Sequence, residues 1–414
     1  MLLLFHSRII RCLIIILFCP ALLSIYPDKA LGREDKLIPS IHLRQEYTDN
    51  LFMTADNEMD DFILTASPGL RITTRTERLK LNMAGHLDSA RYHDHTELNG
   101  NDMGASGRLS YDSTEKLSLS ANGDFSRDSR PDRDLDDTGL LLDTTRRDRY
   151  QGGVEGNYLF SERTSANISS SYGRDDYQSK IDDSYDFHYY SAGLGVFHRP
   201  ERFNERTTLF CHARYSRYEY ENSAVDYYSI STGAENQFTE TLSIRFDLGG
   251  RYTVSEFQTL TWMLTAPPFG YEMVTVKEKK TNLGGVGQIS FNYHGEFIHC
   301  TMSAGHDIQP ASGRDGSSER TSMMLSFNKR FTEEIHCRLD GDYYFNNAEE
   351  DEFSSFAIDE ETLRSTAKFR YVVNRISHIE IGYSFTRIKD NVKDTEINRN
   401  LAFINYQYNF EINL

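Results

Sequence analysis

Side chains capable of chemistry are plentiful in this sequence, yet few stand at a spacing that chemistry requires. His93, Asp94 and His95 contain the closest histidine pair, but a zinc site needs four converging ligands and no cysteine lies nearby to complete one. Asp132, Asp134, Asp136 and Asp137 crowd a single segment without the ordered ligand positions of a calcium loop, so a solvated acidic loop is expected there. Past the N-terminus the cysteines are Cys211, Cys300 and Cys337, which form no CxxC or haem-attachment pair and read as small apolar strand residues. A GxSxG elbow, an HExxH helix and a phosphate-binding loop are all missing. The expectation is a protein without catalytic residues, metal or cofactor.

What remains is a set of charges of both signs at alternating positions: Lys80, Arg214, Arg245, Arg251, Arg338, Lys368 and Arg370 against Asp88, Asp124, Asp247, Asp340, Asp342 and Glu380. Alternation places a residue on one face of a strand, and the residues between these charges are apolar. At the C-terminus Ala402, Ile404, Tyr406, Tyr408, Phe410, Ile412 and Leu414 form an apolar face. Their neighbours Asn405, Gln407, Asn409, Glu411 and Asn413 are polar. The same device recurs over Leu79–Asp88, Leu117–Phe125, Leu242–Leu248 and Ile335–Phe345.

Such strands need a setting in which one face is apolar without a buried core behind it. No stretch beyond the N-terminus reaches 18 apolar residues, which excludes ordinary transmembrane helices; a closed transmembrane β-barrel is the remaining membrane fold, and short alternating segments are its signature. A long soluble sandwich or solenoid is the competing architecture. It gives no reason for Tyr and Phe near the strand ends, as at Tyr47, Phe160, Tyr172, Tyr252 and Tyr371, whereas aromatic girdles at two lipid interfaces do.

Residues 1–24 read as a secretory signal, with Arg8 and Arg11 ahead of a short apolar core and a cleavage site that could fall as late as residue 30. Residues 25–39 read as a periplasmic segment and 40–414 as the barrel. The signal holds two basic and no acidic residues, so its removal takes the formal charge from −17 to −19. A chain this acidic has no electrostatic affinity for nucleic acid.

Connectors fall into two classes. Tight turns centre near Arg75, Thr114, Glu162, Arg202, Thr239, His294, Phe331 and Arg375, and longer charged loops alternate with them, among them 217–225, 255–280 and 387–396. Short turns at one rim and long loops at the other match the outer-membrane layout, turns periplasmic and loops outside. The connectors join about eighteen antiparallel strands; one missed or invented hairpin would make sixteen or twenty. Such a cylinder is about 35 Å across, too wide for side chains to fill.

The alternating charges are therefore candidate pore-lining residues. No single-sign ring is legible among them, so strong ion selectivity is not expected. The segment 255–280 contains an apolar run, Trp262, Leu264, Pro267, Pro268 and Phe269, which is a candidate constriction or gate if it folds inward and a surface contact if it does not.

Residues 39–72 resemble the opening of the putative β-barrel porin 2 family and of outer-membrane proteins encoded with exopolysaccharide clusters. The matching words are Pro39-Ser40-Ile41, Tyr47-Thr48-Asp49-Asn50, Asp61-Phe62 and Ser67-Pro68-Gly69-Leu70. The resemblance implies an outer-membrane barrel, folded by the barrel-assembly machinery, that takes part in exporting a secreted polysaccharide alongside a periplasmic export protein. It carries no catalytic residues. A general diffusion porin and an adhesin or structural sleeve are the alternatives, and oligomeric state is left open.

Overall fold

The computed structural model of the protein describes residues 32–130, 146–178, 186–201, 205–221, 223–264, 271–310, 317–348 and 357–414. They form one sheet of eighteen long strands: Glu34–Thr48 (β1), Asp61–Arg75 (β2), Leu79–Tyr92 (β3), Gly100–Asp112 (β4), Leu117–Asp128 (β5), Arg147–Ser161 (β6), Thr164–Tyr177 (β7), Phe187–His198 (β8) and Thr207–Glu219 (β9). The second half continues with Ser223–Gln237 (β10), Leu242–Leu264 (β11), Tyr271–His294 (β12), Ile298–Pro310 (β13), Ser317–Arg330 (β14), Ile335–Ala348 (β15), Ile358–Asn374 (β16), Ser377–Asp390 (β17) and Thr395–Asn409 (β18). The two residues Ile412–Asn413 resume the line of β18 against the start of β1. Each strand pairs antiparallel with its sequence neighbours, and β18 closes on β1 from Ser40↔Asn409 to Thr48↔Leu401. Closure leaves no strand edge in hydrocarbon, where each unpaired backbone group costs a few kcal/mol. Among the described residues no helix is long and apolar enough to cross a membrane.

The outer face carries the apolar half of the alternation. Leu64, Leu87, Ile168, Leu194, Ile230, Leu248, Ile289 and Ile381 are exposed there. Toward the long-loop rim this band ends in cross-strand aromatic pairs with ring centroids 4.8 to 5.2 Å apart: Tyr47 with Phe62, Phe125 with Tyr150, Tyr172 with Tyr190, and Tyr215 with Tyr228. Along β6 the band runs from Tyr150 to Tyr158, roughly 20 Å for a tilted strand.

Above the aromatic belt the wall continues with charges on its outer face as well. Arg127 grips Asp148 with two bonds of 2.6 Å directly above the Phe125–Tyr150 pair. Arg217 pairs with Asp226 at 3.0 Å and Arg387 with Glu396 at 2.7 Å. These ladders correct three boundaries. The expected loops 217–225 and 387–396 are mostly strand, with connections of only three and four residues, because water wets both faces there and polarity no longer marks a turn. The expected loop 255–280 is also mostly strand, an unbroken ladder from Ser255↔Lys280 to Leu264↔Tyr271. At the other end β1 begins at Glu34 rather than at residue 40.

Candidate pore and its constriction

All thirteen candidate pore residues sit on the face opposite the exposed apolar band, by strict alternation along regular ladders. Lys80, Asp88, Asp124 and Arg214 do so on β3, β5 and β9, and Arg245, Asp247 and Arg251 on β11. Arg338, Asp340 and Asp342 follow on β15, and Lys368, Arg370 and Glu380 on β16 and β17. Two ion pairs join members of the set, Arg338 with Asp340 at 2.8 Å and Arg370 with Glu380 at 3.1 Å. Trp262 and Leu264 are strand residues, in backbone register with Met273 and Tyr271 respectively in the β11–β12 ladder. Pro267, Pro268 and Phe269 lie outside the described residues, as do Asp132, Asp134, Asp136, Asp137 and residues 1–24.

The two halves of the lumen differ. Toward the short-turn rim inward residues such as Lys80, Asn82, Ser110 and Asn122 are exposed to the interior. Toward the long-loop rim inward side chains are packed away: Glu46, Asp61, Arg147, Asp175, Tyr227, Thr253, Asn346 and Thr362 are at most 2% exposed. Much of this half is held by charge. Arg149 binds Asp175 with two bonds of 2.8 and 2.7 Å, and Arg147 bridges Asp175 and Asp128. Arg130, just past β5, reaches Glu46 on β1 at 3.0 Å, so the chain leaving β5 turns inward.

Among the described residues β13 and β14 depart from the line of the wall. The β12–β13 ladder stops at Gly287↔His306, although β13 continues to Pro310 and stays paired with β14 up to Pro310↔Ser317. Beyond that point residues with the outer-face parity of β13 and β14 meet inner-face residues of β10, β11, β15 and β16. Ile308 shares a face with the exposed Met302, yet it is buried in a cluster with Tyr227, Ala348 and Ile358. Glu319 shares a face with the exposed Met323, yet it pairs with Arg251. Ser317, with the outer-face parity of β14, meets the Tyr220 hydroxyl at 3.4 Å, while Asp307, on the inward parity of β13, accepts the Tyr227 hydroxyl at 2.7 Å. An outer face against an inner face means that the β13–β14 end has slipped inside the wall. The β11–β12 hairpin passes outside it.

Among the described residues this hairpin end is the element that leaves the line of the wall, while the candidate constriction of 255–280 falls largely on residues and side chains outside those described. Sequence alternation could not reveal it, because 307–319 reads as one of the long polar loops; the isolated apolar Ile308 between Asp307 and Gln309 is the sole signal.

The motif words at the first hairpin turn out to secure the barrel seam. Asp49 accepts both the backbone N–H of Asn400 at 2.7 Å and its side-chain amide at 2.6 Å, and Asn50, fully buried, donates to the carbonyls of Thr54 and Asn398. Asp61 accepts the backbone N–H groups of His93, Asp94 and His95, which pins the next loop, so the histidine pair serves a turn. Pro68 interrupts the β2–β3 ladder between Ala66 and Gly69 without shifting register, and a side chain at Gly69 would press on Ser40.

Residues 36–185 match the family described as putative beta-barrel porin 2. They span β1 to β7 and include every word on which the sequence resemblance rested. No curated protein matches the chain in sequence. In fold it is similar to outer-membrane porins. One is the outer membrane protein opdK from Pseudomonas aeruginosa, with TM-score 0.44 and 10% identity over 91% of this chain and 99% of that one. OccK9 (OpdG) of the same organism gives 0.45 and 9%, covering 91% and 98%. The outer membrane channel DcaP of Acinetobacter baumannii gives 0.42 and 12%, covering 93% and 99%. The closed antiparallel barrel of eighteen long strands, together with the family match over β1 to β7, is a porin-like β-barrel fold.

The seam is directly testable. Asp49→Ala removes both bonds to Asn400 and should cost about 1–3 kcal/mol, read as a lower temperature for the gel shift from folded to unfolded barrel. An unchanged midpoint would assign the motif no part in closure.

Proposed function

We propose that this barrel is a bacterial outer-membrane channel through which a secreted polysaccharide leaves the cell, with the β13–β14 hairpin as its gate. The carrying observation is the contrast within the lumen: a wide, hydroxyl-, amide- and charge-lined half at the short-turn rim, and a half near the loops that one inward hairpin narrows. A wall of mixed polar groups with modest affinity lets a hydrated chain slide. The gate is held by a few bonds, Tyr227 to Asp307 and Arg251 to Glu319, that a conformational change can release. In this reading residues 1–24 direct secretion, the barrel-assembly machinery inserts the chain, the short turns face the periplasm and a periplasmic export protein delivers the polymer. The barrel is a passage and performs no catalysis.

The same hairpin favours a second reading, a diffusion porin in which it is a fixed size filter. A chromosomal deletion, assayed separately for secreted polymer and for uptake of small hydrophilic solutes, distinguishes them. Export predicts lost polymer with uptake intact; reduced uptake with normal polymer makes the protein a porin, and no change in either moves it to an adhesin or sleeve. Orientation has its own test. With Cys211, Cys300 and Cys337 replaced by alanine, cysteine at Asp94 or Asp394 should react with an impermeant thiol reagent on intact cells, and cysteine at Thr114 or Glu333 only after the outer membrane is opened. The reverse pattern would invert the barrel.

A further inference from the structure

At the short-turn end of the lumen, Arg75, Lys80 and Arg108 line one cavity of about 860 Å³. Register brings them together. Arg75 is the direct cross-strand partner of Lys80, and Lys80 faces Ser110, which puts Arg108 on the adjoining diagonal of the same face. All three are exposed to the cavity, and none makes an ion pair with any described carboxylate. The neighbouring Lys36 differs, being neutralised by Glu411 at 2.7 Å. Glu34 is the one acidic side chain in the cavity lining.

Like charges placed directly opposite across a ladder destabilise the pair. Here a chain with a formal charge of −17 leaves three cations together with one carboxylate among them, Glu34, the cross-strand partner of Arg75 on β1, and no ion pair to it, while elsewhere in its lumen Arg149, Arg338 and Arg370 are each matched by a carboxylate. Such an arrangement is relieved by an anion from outside. Asn82, Ser110, Ser120 and Asn122, also in the lining, offer hydroxyls and amides that suit the hydroxyl groups of a sugar. Guanidinium groups bind carboxylates with two parallel bonds.

We infer that this cavity is a binding site for an acidic saccharide, a chain bearing carboxylate groups, which Arg75, Lys80 and Arg108 engage as it enters from the short-turn rim. The assignment deepens the export reading and rests on it for direction, though the site itself does not depend on conduction. Arg75 and Lys80 flank a tight turn in the sequence, but the triad takes shape only when β4 is laid beside β3.

Calorimetric titration of the detergent-solubilised full chain with trigalacturonate tests it, with maltotriose as the neutral control. The wild type should bind trigalacturonate and not maltotriose, and binding should weaken steeply with salt. The triple variant Arg75→Gln, Lys80→Gln, Arg108→Gln should bind at least about tenfold more weakly, and the charge-preserving Arg75→Lys, Lys80→Arg, Arg108→Lys should bind more tightly than the glutamine variant, with the charges kept and two forks exchanged for one, each checked for the folded gel mobility. No trigalacturonate binding, equal binding of both sugars, or undiminished binding by the glutamine variant overturns the site. Conductance of the same preparation separates the two claims: a conducting barrel that ignores trigalacturonate loses only this site, and one that binds it without conducting loses only the channel.

Discussion

Leu248→Arg should prevent stable assembly of the barrel, while Gln288→Arg, on the neighbouring strand, should leave it intact. Leu248 lies in the middle of the outer apolar band on β11, between Ile244 and Tyr252, and is 68% exposed, to lipid in this account. An arginine there costs about 2–4 kcal/mol at the bilayer midplane, a large share of the stability of most proteins. Gln288 is the register partner of Asp247 on the inner face of β12, so an arginine at 288 enters water opposite a carboxylate. The measurement is the fraction of heat-modifiable protein in the outer-membrane fraction. Equal loss for both variants, or for neither, would show that the two faces do not divide lipid from water.

Replacing residues 308–318 with Gly-Gly, so that two glycines join Asp307 to Glu319, should sensitise cells severalfold to hydrophilic antibiotics too large for ordinary porins. The shortened connection removes Ile308 from its cluster with Tyr227, Ala348 and Ile358 and Ser317 from Tyr220, the contacts that seat the hairpin inside the wall. Tyr227→Ala should act in the same direction and less strongly, since it deletes the hydrogen bond to Asp307 and one wall of the apolar cluster. Unchanged sensitivity in a variant that still shows folded gel mobility would mean that another element closes the lumen.

The strand count and the inward set were legible because the lipid imposes strict alternation: Leu79 to Leu87 face out, Lys80 to Asp88 face in, and turns such as 113–116 interrupt them. Legibility stopped where lipid stops. At Arg127, Arg217 and Arg387 both faces meet water, alternation vanishes, and strand reads as loop. The constriction was hidden for a different reason. Whether Glu319 points outward or at Arg251 depends on where the β12–β13 ladder ends, a tertiary event that leaves the pattern of residues 317–330 unchanged. The seam residues Asp49 and Asn50 were visible as a motif, but their bonds to Asn400 and Asn398 join opposite ends of the chain, and only closure reveals them.

The central claim is a water-lined passage narrowed by the β13–β14 hairpin, and single-channel recording of the purified full chain in planar bilayers tests it most directly. Discrete conductance steps are expected from the wild type and markedly larger steps from the shortened-hairpin variant under the same salt. Absence of steps from both proteins, with both showing folded gel mobility, would contradict it.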